Sequence, residues 1–420
     1  MLQKKISSLL RKKIRQLLLS LGLLPIIVII KKFLYLFIFY KKIQIVWMDE
    51  AKDYELAVLS YGQTGIASNP IFYRRVNNII EIALPNVIVC VFRNARISLV
   101  SSSVVMDENK IIIERILAPD QKIVNYSSGH IVDHSQEFAY VKRYLSSIST
   151  EKGIAIFGNG ASNYYHWIIE ILPKLQFVDE LPEEYRSYPL LVSDEILKIP
   201  SMEYALNLFR NGREVIYLDS KKVNIINDLV WITSPNNLPF NLRRNNKFKT
   251  NYTKINKKTL NYVRTVAFSH ALVGHVEKNY FDKIFFSRKT ERRNYNQDEV
   301  YECLSRHGFV KIFMEDLSFV EQVRTVYNAQ IIVGPTGAAW TNLIFCRPGT
   351  KALCWMAEEI GDFSAFSTIA WLYDVDLRYI TYKADVIYVS DLYQKDYKID
   401  VCEIEKHIQE INNNSLSIRS

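Results

Sequence analysis

The sequence predicts an α/β protein made of two Rossmann-like halves with a cleft between them, preceded by a basic, apolar N-terminal helical segment. Three observations carry that prediction. Residues 284–350 read strand, helix, strand, helix, strand, with arginines and a glycine-interrupted turn at one end of the strands. From about residue 150 an earlier stretch repeats the alternation in "GIAIFG", "YPLLVS", "EVIYL" and "DLVWIT". Ten of the 53 Lys and Arg residues fall in positions 1–48, which hold no acid. With 420 residues, 49% apolar and 23% charged, the chain can form two domains with full cores.

The N-terminal segment, residues 1–48, interleaves its cations with "LLLSLGLLPIIVII" and "FLYLFIFY". Lys31 and Lys32 divide these runs, each shorter than the roughly 20 apolar residues of a bilayer-spanning helix. A helix lying in the interface of an anionic membrane fits that pattern, and a helical hairpin docked on the domain or on a partner subunit is the other reading. A cleaved signal peptide fits less well, because no small-residue cleavage pattern follows. Removing the ten cations leaves 43 basic against 44 acidic residues, so the net charge of +9 does not indicate a nucleic-acid binder.

Residues 49–264 form the first half. Short strand-like runs over 54–150 give way to the strand–helix alternation, and 241–264, rich in Asn and Lys and without an acid, reads as a solvated connector. Residues 265–400 form the second half. "KIFFSR" is a strand ending in Ser287 and Arg288, with Arg292 and Arg293 just beyond. "NQDEVYECLSRHG" is a helix with acids early and Gly308 after its end; "LSFVEQVRTVYNA" opens with a Ser318/Glu321 capping box. "QIIVG" is a strand running into Gly334-Pro335-Thr336-Gly337, after which "AAWTNLIF" resumes a helical pattern. Residues 401–420 suggest a final helix.

Chemistry concentrates in two places. A helix from about Ser162 would align Asn163, His166, Glu170 and Lys174 on one stripe, letting Glu170 share a hydrogen bond with His166 that orients the ring and raises its basicity. A satisfied polar face between domains would give the same stripe. Pro173 removes the hydrogen bond to Ile169 and favours a kink. In the second half, the turn's free N–H groups at Gly334, Thr336, Gly337 and Ala338, with Thr341 and Asn342, suit an anion near the Ser287/Arg288 strand end. Glu315 is either a ligand for a sugar hydroxyl or the acid at the start of the next helix.

Two metal-like patterns carry little weight. Asp374-Val375-Asp376 sits where a helix turns into a strand, and His130 and His134 lack a third ligand. No obligatory metal or cofactor is expected. The five cysteines form no CxxC pair and read as free thiols in a reducing cytoplasm.

Taken together, "SRKTERRN", "LSFVEQV" and "IIVGPTGAAWTNLIFCRPGT", with "GNGASNYYHWIIEILPKL" and "WITSP" upstream, resemble glycosyltransferase family 61 over roughly residues 150–355. The resemblance implies a GT-B arrangement, in which the final helix can cross back to the first half. It also implies an inverting transfer from a nucleotide-diphosphate sugar to a capsule, lipopolysaccharide or related envelope glycan. His166 would be the acceptor base and Glu170 its orienter, with Asn163 and Lys174 on the acceptor side. Ser287, Arg288, Arg292, Glu315 and the 334–342 turn would hold the donor, Lys289 and Arg293 being solvated. The expected setting is the cytoplasmic face of the cell membrane, with a glycan acceptor that is lipid-linked in one reading. Thr336 and Trp340 depart from the pattern: many members carry a histidine at the first position and a smaller or aliphatic residue at the second. Thr336 keeps a hydroxyl but is no base near neutral pH, so a non-catalytic nucleotide- or glycan-binding scaffold is the rival reading.

Overall fold

The structure, a computed structural model, describes residues 40–72, 77–107, 109–118, 120–143, 147–243, 246–273, 280–289 and 292–416. The fold is mixed α/β, with a large open sheet in the first half and a smaller one in the second. The predicted N-terminal helical segment lies outside the described residues up to position 39. Its last residues do not belong to it: Tyr40–Trp47 is a strand, antiparallel to Phe138–Lys142 and parallel to Lys110–Ile113. Ile43 and Ile45 are buried by that pairing, which fixes the register through their alternation with polar neighbours.

The large sheet has eleven strands among the described residues. Its parallel part is the group Ser147–Ala155, Leu190–Ser193, Val215–Leu218 and Val223–Ile232. Val223–Ile232 then pairs antiparallel with Val87–Ile97, and the sheet continues in mostly antiparallel strands. The second sheet is parallel throughout, in the order Val310–Ile312, Lys283–Phe286, Ile331–Pro335, Lys351–Ala357, Asp376–Tyr382. Its sixth strand comes from far upstream: Ile71–Phe72 pairs with Arg378 and Tyr379. A strand from the expected first unit therefore completes the sheet of the expected second. Ser68 strengthens the crossing, its N–H donating to Thr368 Oγ1 at 3.0 Å and its carbonyl accepting from Ser367 Oγ at 2.6 Å.

Both faces of the parallel sheet are covered, as such sheets require. Ile284, Phe286 and Ile332 face a core continuous with Ile154, Ile156 and Val230 of the large sheet; Phe285, Ile331 and Val333 face the Gln297–Arg306 and Val401–Leu416 helices. The final helix thus stays with the second half, with Lys283 Nζ bonded to Asn412 at 3.0 Å, rather than crossing back. The helix at Phe319–Asn328 starts at the predicted capping box, Ser318 and Glu321 bonding each other's backbone N–H.

The 241–264 stretch is not a solvated connector. Asn256 caps a helix at Lys257–Ala271 whose Leu260, Val263 and Ala267 are buried in the shared core. Four-residue apolar spacing inside a cationic run overrides its polar composition. Among the described residues, no helix is long and apolar enough to cross a membrane.

Beneath the large sheet, His130 is buried with Nε2 2.8 Å from Ser103 Oγ, and desolvation pulls its pKa from 6.5 to about 3. The folded state therefore resists protonation that the unfolded chain accepts, so the stability present above pH 6.5 is lost as pH falls toward 3. Urea unfolding at pH 7 and pH 5 should show a drop that is smaller in His130→Gln by about 1–2 kcal/mol. Equal drops in both proteins would refute this.

Candidate functional site

Asn163 caps a short helix at Tyr164–His166, its side chain accepting from the Tyr165 N–H at 2.9 Å. The chain then widens into a π turn at Trp167–Ile171 and tightens into a 3-10 helix from Leu172 to Glu180. The predicted regular helix is absent for a local reason. Pro173 has no N–H to give, so carbonyls one turn earlier need other donors. Asn236 Nδ2 donates to Ile169 O at 2.6 Å and Ser234 Oγ to Glu170 O at 2.9 Å.

That repair fixes the pair predicted from the stripe. His166 Nδ1 lies 2.7 Å from Glu170 Oε2, and Glu170 Oε1 accepts the Leu238 N–H at 2.7 Å. A carboxylate holding two donors orients the imidazole, puts its proton on Nδ1 and leaves the Nε2 lone pair available. Both side chains are largely shielded from solvent, at 7% and 12% exposure. Gly160 (φ +71°) lies against the ring, and a Cβ there would come within 2.8 Å of it. Phe240 and Tyr165 meet the imidazole edge-to-face at 5.1 and 5.3 Å.

Lys174 does not share this surface. It is buried, 3.7 Å from Glu114 and 5.1 Å from the Trp231 ring, and desolvation lowers its pKa. Glu114 also accepts from Trp231 Nε1 at 3.0 Å and from the Ser234 N–H at 2.5 Å. Lys174 is therefore part of the support below His166 and not a contact for an acceptor.

His166 opens on a cleft. On the first-half side it is lined by Asn163, Tyr165, Leu238, Pro239, Phe240 and Phe248. Opposite stand Arg293, Thr336, Gly337 and Ala338, with aromatic cover from Phe363, Phe366 and Tyr393. Asn163, His166, Thr336, Gly337 and Ala338 are thus brought together.

The other expected donor contacts divide. Arg288 is half-buried and donates to Thr336 O, with its backbone clasped by Gln297 at 2.8 and 3.0 Å. Burial and neighbouring Arg293 lower its pKa. It lines a second, adjoining pocket with Arg293, Tyr295 and Asn296. Arg293, expected to be solvated, lines both pockets, and its buried Nε has no hydrogen-bond partner. Arg292 is exposed and lines neither. Ser287 is buried at the same strand end, its Oγ unpartnered.

Gly334 lies within the strand, where a Cβ would come within 2.8 Å of Phe286. Thr341 and Asn342 are buried in a 3-10 helix at Ala338–Phe345, away from the cleft. Asn342 Oδ1 accepts from Tyr164 OH at 2.9 Å and its amide donates to Gln322 Oε1 at 3.2 Å, a link between halves rather than a ligand contact. Glu315 is exposed and accepts the Lys289 N–H at 3.2 Å, outside the cleft. Trp340 fills the space behind the turn, its Nε1 donating to Pro335 O at 2.9 Å. Asp376 pairs with Arg378 at 2.6 Å, while His134 Nε2 accepts the Tyr126 N–H at 2.9 Å, so neither metal-like pattern forms a cluster.

Sequence reasoning missed Arg293 and the aromatic wall. Phe240 had a signal in its place after "WITSP", whereas Phe363 and Phe366 resemble ordinary core residues of a helix. No curated protein matches this chain. Residues 164–353 match the family model described as Glycosyltransferase 61, a span running from the His166 turn through the Thr336 wall. Over that span the chain is similar to glycosyltransferase family 61.

Proposed function

We propose that this protein transfers a sugar, with inversion, from a nucleotide-diphosphate sugar to a cell-envelope glycan, its halves arranged as in GT-B enzymes. The observation that carries the reading is the Glu170-held His166 on a cleft whose far wall holds Arg293 and the Thr336 turn. His166 Nε2 takes the acceptor hydroxyl proton as that oxygen bonds the anomeric carbon and the bond to the diphosphate breaks. Glu170 stabilises the imidazolium formed.

Arg288 and Arg293 receive the charge that develops on the leaving diphosphate, for which guanidinium forks are suited. The unpartnered Arg293 Nε supports that assignment. The leaving group is stabilised by protein cations, so donor binding needs no divalent ion. Aromatic side chains on both walls suit the apolar faces of sugar rings and exclude water. Residues 1–39 hold the protein at the cytoplasmic face of the membrane, where a lipid-linked acceptor is presented. Thr336 favours a second reading, a scaffold that binds nucleotide or glycan without turnover, because the donor-side turn has no titratable group.

His166→Ala should lower transfer by roughly 10²–10⁴-fold while UDP, GDP or CDP affinity changes less than twofold. A variant that keeps turnover removes the base assignment, and a wild type that binds nucleotide without releasing product supports the scaffold. In calorimetry with EDTA, Arg293→Ala should weaken nucleotide-diphosphate binding by about 10–100-fold and Arg292→Ala by much less. The reverse order would restore Arg292. Vesicles containing anionic lipid should retain the full chain and release protein lacking residues 1–39; equal retention would exclude the anchor.

A further inference from the structure

On the face of the parallel sheet away from the cleft, the Gln297–Arg306 and Val401–Leu416 helices pack together over Phe285, Val333 and Leu353. Where they meet, Cys303 Sγ, a ring nitrogen of His307 and a carboxylate oxygen of Glu405 all lie within 4.8 Å of one another. Cys303 and His307 are four residues apart, so one helical turn aims both at the neighbouring helix. Glu405 answers from that helix, its Oε1 3.3 Å from His307 Nε2. Cys303 is 1% exposed, whereas the side chains of His307 and Glu405 are 20% and 36% exposed. The cluster is therefore rooted in the core and open to solvent on one side.

We propose that Cys303, His307 and Glu405 bind a zinc-class divalent ion that clamps the final helix to the second sheet. Thiolate, imidazole and carboxylate are the ligand types that such ions take together. Tetrahedral zinc at its usual bond lengths sets ligand atoms about 3.4–3.8 Å apart, so the three atoms need to close by about 1.4 Å at most. On binding, the Cys303 thiol gives its proton to solvent as sulfur bonds the ion, and thiolate plus carboxylate then neutralise the two charges. The cations beside the cluster are Lys283, whose Nζ donates to His307 O at 3.1 Å, and Arg306, which hydrogen-bonds the thiol and stands 3.9 Å from Glu405. The Arg306 side chain is 61% exposed and can turn into water when the ion enters. Cys402, exposed one turn before Glu405 on the same helix, lies near enough to influence Cys303 and offers a thiol for the remaining coordination position.

The test uses the full chain after chelation and dialysis, titrated with Co²⁺ alone and then with Zn²⁺ alone. One equivalent of Co²⁺ should produce a near-ultraviolet thiolate charge-transfer band that Zn²⁺ removes, and Zn²⁺ should raise the thermal midpoint. Cys303→Ser should lose the band, and Glu405→Gln should keep the band while binding Zn²⁺ at least tenfold more weakly. Glu405 is partly exposed, so that variant decides the matter if Cys303→Ser does not fold. Absence of the band in the wild type overturns the site. So does an affinity that Glu405→Gln leaves unchanged, even if Cys303→Ser abolishes the band.

Discussion

Exclusion of water from one apolar seam between the two sheets positions everything that lines the cleft. Ile154, Val230, Trp167, Leu260, Phe286, Ile332 and Leu343 belong to a single cluster spanning both halves. Interfaces between domains are often small and polar, which permits relative motion. Here the seam is as apolar as an interior, and the Tyr164–Asn342 hydrogen bond crosses it at 2.9 Å. Arg264 adds hydrogen bonds from the first-half side of the seam to Ile344 O and Cys346 O. Spreading the halves would strand these buried groups without partners. The His166 wall and the Thr336 wall are thus set by packing.

Above that seam, the polar architecture follows from one missing donor. Pro173 opens the helix, the 234–238 segment closes the gap with side-chain and backbone hydrogen bonds, and Glu170 is held by the same segment. The Lys174–Glu114 pair lies under it, with Trp231 and Ser234 completing the coordination of the carboxylate. Buried polar groups of this kind tolerate few alternative arrangements, since each loses more when unpaired than it gains when paired. The irregular helix and the segment that closes it thus fix the imidazole orientation.

Much of the second half was legible in the sequence because its signals are local. Strand-length apolar runs, the Ser318/Glu321 box and Gly308 each act within a few residues, and the structure places them as expected. The His166–Glu170 contact was legible from its four-residue spacing, although the chain there is a π turn held by the 234–238 segment and not a regular helix. What stayed hidden depends on long-range pairing. Nothing near Tyr40–Trp47 announces a strand bounded by residues 110–113 and 138–142. Asn342 and Thr341 look like donor ligands until the burial of their 3-10 helix is known. Arg292 and Arg293 are neighbours in sequence, yet one is exposed and the other, with a left-handed backbone at φ +57°, is half-buried. The Lys257–Ala271 helix was masked by cations on its exposed face.

The short Ile71–Phe72 strand has a bearing on how the chain is made. Its partner, Asp376–Tyr382, is synthesised some three hundred residues later, and the Ser68–Thr368 contact spans 300 positions. Until the ribosome has delivered that partner, residues 64–83 have an antiparallel pair to form but no sheet edge to join. Contacts of such separation form late and slowly, because a long loop must be closed before they contribute. During translation the first half therefore waits with an uncovered arm, and a nascent chain stalled before residue 376 presents that arm to chaperones or to other copies of itself.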